Sequence, residues 1–363
     1  MSGRPDARAA ASQFEFGGAV LSLTPHGGGH INDTYLVTCE AQGAPVRYIL
    51  QHINRHVFHD PVAVMQNVER VTAHLDAQTA GQPDCARRAL HLIPARDGRK
   101  WHMDAQGETW RAYRFIENAR TYETVASAEQ AFEAARAFGN FQQQLSSLPP
   151  PRLHETIPDF HHTPKRFAAL EQAVVADVAG RAAFAKPEID FARARQSITG
   201  VLLDADLPER ITHNDTKFNN VLLDDKTGKA VCVIDLDTVM PGLALYDFGD
   251  MVRTTTSPAA EDEKDLSKVT MQFAMFEAVV RGYLESAGAF LTAAERKLLA
   301  FSGKLITFEI GIRFLADYLD GDTYFKVHRE GHNLDRCRTQ FKLVESIERQ
   351  EEQMNRLVES IAG

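Results

Sequence analysis

The chain has 363 residues, 44% hydrophobic and 25% charged, the composition of an ordinary globular protein with length for about two domains. Its net charge of −9 excludes a broad duplex-binding face, because neutralising nucleic-acid phosphates needs a basic surface. No run of 18 apolar residues is available to span a bilayer. Met1–Ser12 lacks the apolar core of a secretory signal, and Cys39, Cys85, Cys232 and Cys337 are scattered without C-x-x-C or zinc spacing. The expectation is a cytoplasmic protein with no nucleic-acid or membrane partner.

In chain order, Val20–Thr24 and Thr34–Thr38 read as strands flanking the glycine-rich His26-Gly-Gly-Gly-His30, and Arg47–Gln51 as a third strand. From Pro61 the apolar spacing of Val64, Val68, Val71 and Leu75 is helical. Strand-like stretches return near Ala89–Pro94 and from Thr109 to Ile116, before the polar break Glu117–Arg120. Beyond it the pattern is mainly helical. Ser127-Ala-Glu-Gln130 reads as a capping box that opens a helix stopped by Pro149-Pro-Pro151. Thr292-Ala-Ala-Glu295 opens a long apolar helix to about Tyr318, and Arg336–Ile361 is amphipathic. The expected fold class is α+β with two lobes: a small β-rich N-terminal lobe, residues 1–116, and a larger mainly helical C-terminal lobe, residues 117–363.

The chemistry concentrates in His213-Asn-Asp215-Thr-Lys217-Phe-Asn-Asn220, followed closely by Val-Ile-Asp235-Leu-Asp237. Asp215 stands five residues before Asn220, the H-x-D-x-x-x-x-N spacing of a catalytic base and a metal-binding amide in phosphoryl transfer. Two apolar runs around Asp225-Lys-Thr-Gly228 read as a hairpin. With its turn centred on Thr227 and Gly228, Lys226 faces Lys229 and Asn220 falls opposite Asp235, where an amide and a carboxylate can share Mg²⁺. Lys217 is placed to approach the transferred phosphoryl oxygens. No G-x-x-x-x-G-K-[ST] occurs, which excludes a P-loop kinase. The Gly27–Gly29 turn between the first two strands, with Gly28 and Gly29 as the candidate phosphate-binding residues, offers backbone N–H groups to an anion.

This set of parts resembles the aminoglycoside phosphotransferase superfamily, which has the protein-kinase fold, and more narrowly the N-acetylhexosamine 1-kinases. Gly28-Gly-His-Ile-Asn-Asp-Thr-Tyr35, Thr212-His-Asn-Asp-Thr-Lys217, Val233-Ile-Asp-Leu-Asp-Thr-Val-Met-Pro-Gly242, Leu245-Tyr-Asp-Phe-Gly-Asp250 and Gly311-Ile-Arg-Phe-Leu-Ala-Asp-Tyr318 carry the likeness. The resemblance implies ATP and Mg²⁺ as cofactors, and a sugar acceptor phosphorylated at its anomeric hydroxyl. It also implies that His213 shapes the loop and that Asp250 anchors the loop backbone. Adenine is expected at the hinge around Phe115-Ile-Glu117. A kinase-type fold pairs a third-strand lysine with a helix glutamate. Glu69 suits the glutamate, but the strand reads Arg47-Tyr-Ile-Leu-Gln51-His52, so Gln51, His52 or an arginine from elsewhere must substitute.

Acceptor contacts are expected from His30, Asn32 and Asp33, and from Arg313, Asp317, Tyr318, Asn333 and Arg336, since sugar hydroxyls both donate and accept. His161 and His162 read as exposed loop residues. Two alternatives stay open: a kinase of another small hydroxylated acceptor (an aminoglycoside, choline or an amino alcohol), and a nucleotide-binding pseudokinase. The Arg- and His-rich acceptor segment (Arg313, His328, Arg329, Arg336) points away from cationic acceptors, and the absent strand lysine is the pseudokinase's only support.

Overall fold

A computed structural model describes residues 6–27 and 31–362. The chain divides into two compact units, the first made of residues 1–119, 148–158 and 231–240, the second of the remainder.

The first unit begins with a short helix, α1 (Ala7–Ala11), and strands β1 (Ala19–Pro25), β2 (Asp33–Ala41) and β3 (Ala44–Ile53). Helices α2 (Pro61–Thr79) and α3 (Cys85–Arg88) follow, then strands β4 (His102–Met103) and β5 (Thr109–Arg114). The five strands form an antiparallel sheet in the order β1-β2-β3-β5-β4. Val37, Cys39, Tyr48, Leu50, Trp110 and Ala112 point into a core closed by α1 and Phe14. The other face of the sheet carries a polar row, described below. Helix α2 starts where Asp60 accepts from the Ala63 N–H at 3.0 Å, with Pro61 in the first turn, where its missing N–H costs nothing. Its buried stripe is the expected Val64, Val68, Val71 and Leu75. Residues 89–94 do not form a strand. Their one ladder contact is an isolated bridge between Leu92 and Tyr113, and the β5 edge is taken by the short β4 instead.

The second unit is mainly helical: α4 (Ala128–Leu145), α5 (Thr163–Ala176), α6 (Lys186–Arg193), α7 (Ala244–Thr255), α8 (Phe273–Ala287), α9 (Ala293–Lys297), α10 (Leu299–Leu319) and α11 (His332–Ala362). Ser127 caps α4 through Gln130 N–H at 3.3 Å, but the Gln130 side chain reaches Ala126 N–H rather than the cap itself. The Thr292–Glu295 box is reciprocal, yet the helix it opens breaks at Leu298, so the expected single helix is two. The last helix begins at His332, four residues before the expected start. Phe167, Leu170, Ile189, Phe308, Ile312, Leu315, Phe341 and Val344 form the core between α5, α6, α10 and α11. Helices α7 and α10 meet at glycines. A Cβ on Gly249 would stand 2.5 Å from the Ser302 carbonyl oxygen, so this approach, which sets the position of α7, requires glycine.

Candidate active site

The loop bearing Asp215 lies in the second unit between strand Arg210–Thr212 and a 3-10 turn, Phe218–Asn220. Its backbone is held from α7. Asp247 accepts from the N–H groups of His213 at 2.9 Å and Asn214 at 2.7 Å, and from Gln142 Nε2 at 2.6 Å. Thr216 Oγ1 closes the attachment by donating to the Asp247 carbonyl at 2.7 Å. Burial raises the Asp247 carboxyl, opposed by the His213 charge and by these donors. The anchor is therefore Asp247. The expected anchor, Asp250, instead pairs with Arg253 through Oδ1 at 2.8 Å. Asn214, with φ of +64°, takes the left-handed conformation that turns the chain so that Asp215 emerges. His213 is fully buried, with its ring edge-on to Phe138 and Phe141, which fits a residue that shapes the loop.

Asp215 and Asn220 are brought together. Asn220 Nδ2 donates to the Asp215 carbonyl at 2.8 Å and reaches its Oδ2 at 3.3 Å. Both bonds use the amide nitrogen, which turns the amide oxygen away from Asp215. That oxygen is the hard donor type that Mg²⁺ takes. Lys217 Nζ lies 3.0 Å from Asp215 Oδ2. Burial works to raise the Asp215 carboxyl, but Lys217, His213 and Arg253 outweigh it, and it sits below the ordinary carboxylate value.

This balance gives a pH prediction. A depressed carboxylate contributes stability above its unfolded pKa of ~3.9 and loses it as pH falls through its folded value. By the same sign, Asp215 is ionised throughout the neutral range. Lys217→Met removes the largest opposing charge and leaves the upward push of burial. The acid limb of the kcat/KM–pH profile is expected to move to higher pH in this variant. An unmoved limb would show that Lys217 does not tune the base.

The turn after Asn220 differs from its expected register. Asp224 and Lys229 close it, with Asp224 N–H donating to the Lys229 carbonyl at 2.9 Å. Asp224 Oδ1 gathers the N–H groups of Lys226 at 3.1 Å and Thr227 at 2.9 Å, so Lys226 lies inside the turn and does not face Lys229. Asn220 precedes strand Val221–Asp224, and Asp235 follows strand Ala230–Val233. Neither belongs to a ladder, so their opposition by strand counting does not hold. Asp235 takes φ of +62°, a strained setting for a residue that is not glycine.

In the first unit, the polar row on the sheet crosses three strands in register, with Thr34 opposite Gln51 and Gln51 opposite Arg111. Gln51 Nε2 donates to Thr34 Oγ1 at 3.1 Å, and Arg111 Nε to Gln51 Oε1 at 3.0 Å. Arg111 then pairs with Asp237, whose second oxygen accepts from Asn32 Nδ2 at 2.6 Å. Both members of the pair are buried. Burial opposes the charge on Arg111, but Asp237 outweighs it and the guanidinium is held cationic, with Asp235 adding to the effect. Sequence reasoning missed Arg111. Its signal was only a lone arginine in the strand Thr-Trp-Arg-Ala-Tyr-Arg.

The remaining residues fall in different settings. Gly28, Gly29 and His30 lie outside the described residues, while Gly27 before them has φ of +74°. Burial raises the Glu69 carboxyl, against the charge and N–H of Lys100, which lies beyond β3 in the sequence. Glu117 forms an ion pair with Arg47, whose guanidinium also lies 4.2 Å from the Phe115 ring centre. The Phe115 N–H donates to the Arg47 carbonyl at 3.1 Å. Asp33 begins β2, with Oδ2 3.8 Å from His52 Nδ1.

In the second unit, Tyr318 is buried in the helical core beneath Arg181. Asp317 accepts from the N–H groups of Thr323, Tyr324 and Phe325 at 2.8, 2.7 and 3.0 Å. Asn333 Nδ2 donates to Asp317 at 2.8 Å and to Asp322 at 2.9 Å, so Asn333 is engaged in holding this loop. Arg336 Nη1 donates to the Asn333 amide oxygen at 3.2 Å. His161 is not exposed. It is buried, with Nδ1 2.8 Å from Glu309 and Nε2 3.1 Å from the Asn214 carbonyl.

A β-sheet unit with its helix α2, together with a helical unit bearing an Asp215–Asn220 loop, defines a protein-kinase-like phosphotransferase architecture. The chain belongs to the APH phosphotransferase enzyme family, which matches residues 22–294. An aminoglycoside phosphotransferase from Alicyclobacillus acidocaldarius is similar in structure with a TM-score of 0.67 at 12% identity, covering 99% of this chain and 98% of that one. A microcompartment-associated aminopropanol kinase gives 0.59 at 18% identity, over 96% and 98% of the two chains. The AMP-bound complex of a spectinomycin phosphotransferase gives 0.56 at 12%, over 98% and 97%. No helix among the described residues is long and apolar enough to cross a membrane.

Proposed function

We propose that the protein is an ATP- and Mg²⁺-dependent kinase that transfers the γ-phosphoryl group to the anomeric hydroxyl of an N-acetylhexosamine. The observation that carries the phosphotransferase part is the Asp215–Lys217–Asn220 cluster on a loop fixed by Asp247. The sugar assignment rests on the words shared with the N-acetylhexosamine 1-kinases and on the cationic groups of the acceptor segment.

In this reading Asp215 orients the acceptor hydroxyl and receives its proton as that oxygen bonds to the γ-phosphorus. The bond from phosphorus to the bridging oxygen breaks, and ADP leaves with the electron pair. The transition state is loose, so a carboxylate of depressed pKa suffices, because the proton need move only late. Lys217 balances charge on the transferring group. The Asn220 amide oxygen and the Asp235 carboxylate are the groups that would hold Mg²⁺, which would supply neutralisation of the phosphate charge. Gly28 and Gly29 offer N–H groups to the phosphates. Glu117 is engaged by Arg47 and the Phe115 N–H by β3, so hydrogen bonding to adenine falls to the main chain of Ile116 and Glu117. His30, Asp33, Arg313 and Arg336 face the acceptor in this reading, with Tyr318 and Asn333 supporting that region from within.

The test is an NMR time course with ATP, Mg²⁺ and a panel of N-acetylglucosamine, N-acetylgalactosamine, glucose, galactose, an aminoglycoside and choline. A phosphorus-coupled anomeric proton from an N-acetylhexosamine is the expected result. Phosphate appearing on the aminoglycoside or choline instead sinks the sugar assignment and leaves the phosphotransferase.

A further inference from the structure

Glu309 of α10 is a carboxylate wholly shut off from solvent. Its Oε2 accepts from the Thr163 hydroxyl at 2.6 Å, and its Oε1 lies 2.8 Å from Nδ1 of the buried His161. The other ring nitrogen of His161, Nε2, lies 3.1 Å from the Asn214 carbonyl oxygen. Burial works to raise the Glu309 carboxyl, but His161, Arg313 and the Thr163 bond outweigh it and it sits below the ordinary value. His161 therefore faces an ionised carboxylate on one side and a carbonyl on the other, and both only accept. A neutral imidazole has one N–H and satisfies one of them. Both contacts are hydrogen bonds together only when both ring nitrogens carry protons, which also gives the buried anion the cation it needs.

The Asn214 carbonyl matters because of where that residue stands. Its φ of +64° turns the chain immediately before Asp215. Its N–H is held by Asp247 at 2.7 Å, and its side-chain oxygen accepts from Thr212 Oγ1 at 3.0 Å. His161 grips the carbonyl of the peptide that leads into Asp215, and the tilt of that peptide sets where the Asp215 carboxylate points. The loop is thus tied to α7 through Asp247 and to α10 through His161 and Glu309. Around the ring stand Glu309 and, one turn on, Arg313 from α10, Tyr246 of α7 at 5.1 Å between ring centres, and Phe160 at 4.7 Å. Arg166 of α5 bonds the Phe160 carbonyl, Asp159 is bonded by Lys165 at 2.7 Å, and the His162 side chain caps α5. Burial and then the Glu309 charge raise the Tyr246 hydroxyl, which leaves the imidazole as the group of this relay that gives up a proton.

We propose that His161 is a positioning residue for phosphoryl transfer: with both ring nitrogens donating, it ties the buried Glu309 to the Asn214 carbonyl and fixes the peptide that presents Asp215. This rests on the reading of Asp215 as the base and holds for any acceptor. When the ring loses one proton, the other stays on Nδ1, because a bare nitrogen facing an anion is the worse contact. Nε2 then turns a lone pair toward the Asn214 carbonyl, and the grip on the loop goes. The bond is present while the ring is a cation and is lost as pH rises through its titration.

Two readouts test this on the full chain. The first is NMR of protein isotope-labelled at histidine nitrogen, at neutral pH, with the His161 signals identified by their loss in His161→Gln. Two protonated ring nitrogens are expected; one protonated and one bare overturns the proposal. The second is the pH dependence of kcat and of KM for ATP, measured with Mg²⁺ and N-acetylglucosamine. A glutamine at 161 places its amide nitrogen where Nε2 stood and keeps the Asn214 bond, whereas the shorter asparagine reaches only toward Glu309. His161→Asn is expected to lower kcat by about tenfold or more, the scale of one hydrogen bond from a charged group, with KM for ATP little changed. His161→Gln is expected to recover much of that loss. Glu309→Gln can donate to Nδ1, so a neutral ring keeps its proton on Nε2, and the alkaline fall of kcat is expected to move to higher pH. Equal losses in the two His161 variants, or an alkaline limb unmoved in Glu309→Gln, overturn the proposal. If wild type turns over no N-acetylglucosamine, the sugar reading fails by itself. The Asp215 amide resonance, which needs no acceptor, then decides: it is expected to shift in His161→Asn and to return toward its wild-type position in His161→Gln, and an unmoved resonance overturns the proposal.

Discussion

Asp215→Asn is expected to lower kcat by roughly 10²–10⁴-fold, the range for removing a positioned base, while nucleotide affinity stays near that of wild type. The separation follows from how the loop is held. Its backbone hangs from Asp247 and from the Asn220 bond to the Asp215 carbonyl, and neither attachment uses the Asp215 side chain. An asparagine keeps the volume and one acceptor oxygen toward Lys217 and Asn220, so the loop has no reason to move. What is lost is a group that can take the hydroxyl proton. In barrier terms the loss is roughly 3–5 kcal/mol. The loose transition state favours the lower half of that range, because little proton transfer has occurred at the top of the barrier. The measurement is single-turnover transfer from ATP beside nucleotide binding by calorimetry. Turnover equal to wild type would remove Asp215 from the reaction. Lost binding would mean that the side chain supports the fold of the site.

The H-x-D-x-x-x-x-N loop was legible because its parts are local. Asp215 and Asn220 lie five residues apart, and a short 3-10 turn brings them into contact. The strands β1, β2, β3 and β5 and the stripe of α2 were legible from alternation and helical spacing for the same reason. What was not legible depends on partners far apart in the chain. Asp247 and Asp250 share one helix and one sequence word, and nothing in that word tells which faces the loop. Packing of α7 on α10 decides it, through a glycine contact between residues far apart in sequence. His161 looks like one of two loop histidines until Glu309 and the Asn214 carbonyl are found on either side of its ring. The turn after Asn220 was misread for a local reason: Asp224, counted as a strand residue, has a side chain that gathers the turn's N–H groups and lengthens it. The absent strand lysine directed attention to β3, whereas the buried cation of this sheet comes from β5.

Arg111→Met is expected to destabilise the first unit by about 3–5 kcal/mol, the cost of leaving one buried charge without its partner. Asp237, 2% exposed with the arginine in place, then keeps only Asn32 as a side-chain donor among the contacts described above. The double variant Arg111→Met, Asp237→Asn removes both charges, so it is expected to recover more than half of the loss, since a buried ion pair is costly to break and near neutral to replace. Denaturant unfolding of the single and double variants measures this directly. If the double variant is as unstable as Arg111→Met alone, packing of the arginine stem matters and the charge does not. A second effect separates structure from function. Asp237 stands two residues after Asp235, whose φ of +62° persists only while its surroundings impose it. Arg111, Asn32 and the Thr156 bond to the Asp237 carbonyl at 2.9 Å hold the neighbouring Asp237 in place. In the proposed reading, loosening that grip lets Asp235 relax away from the conformation in which it would hold Mg²⁺. The stability-rescued double variant is therefore expected to show a weaker dependence on ATP·Mg²⁺, with KM for the nucleotide raised and kcat affected less. That outcome would make Arg111 a support for nucleotide binding through the Asp235–Asp237 segment, in a sheet that carries Gln51 where a lysine is expected.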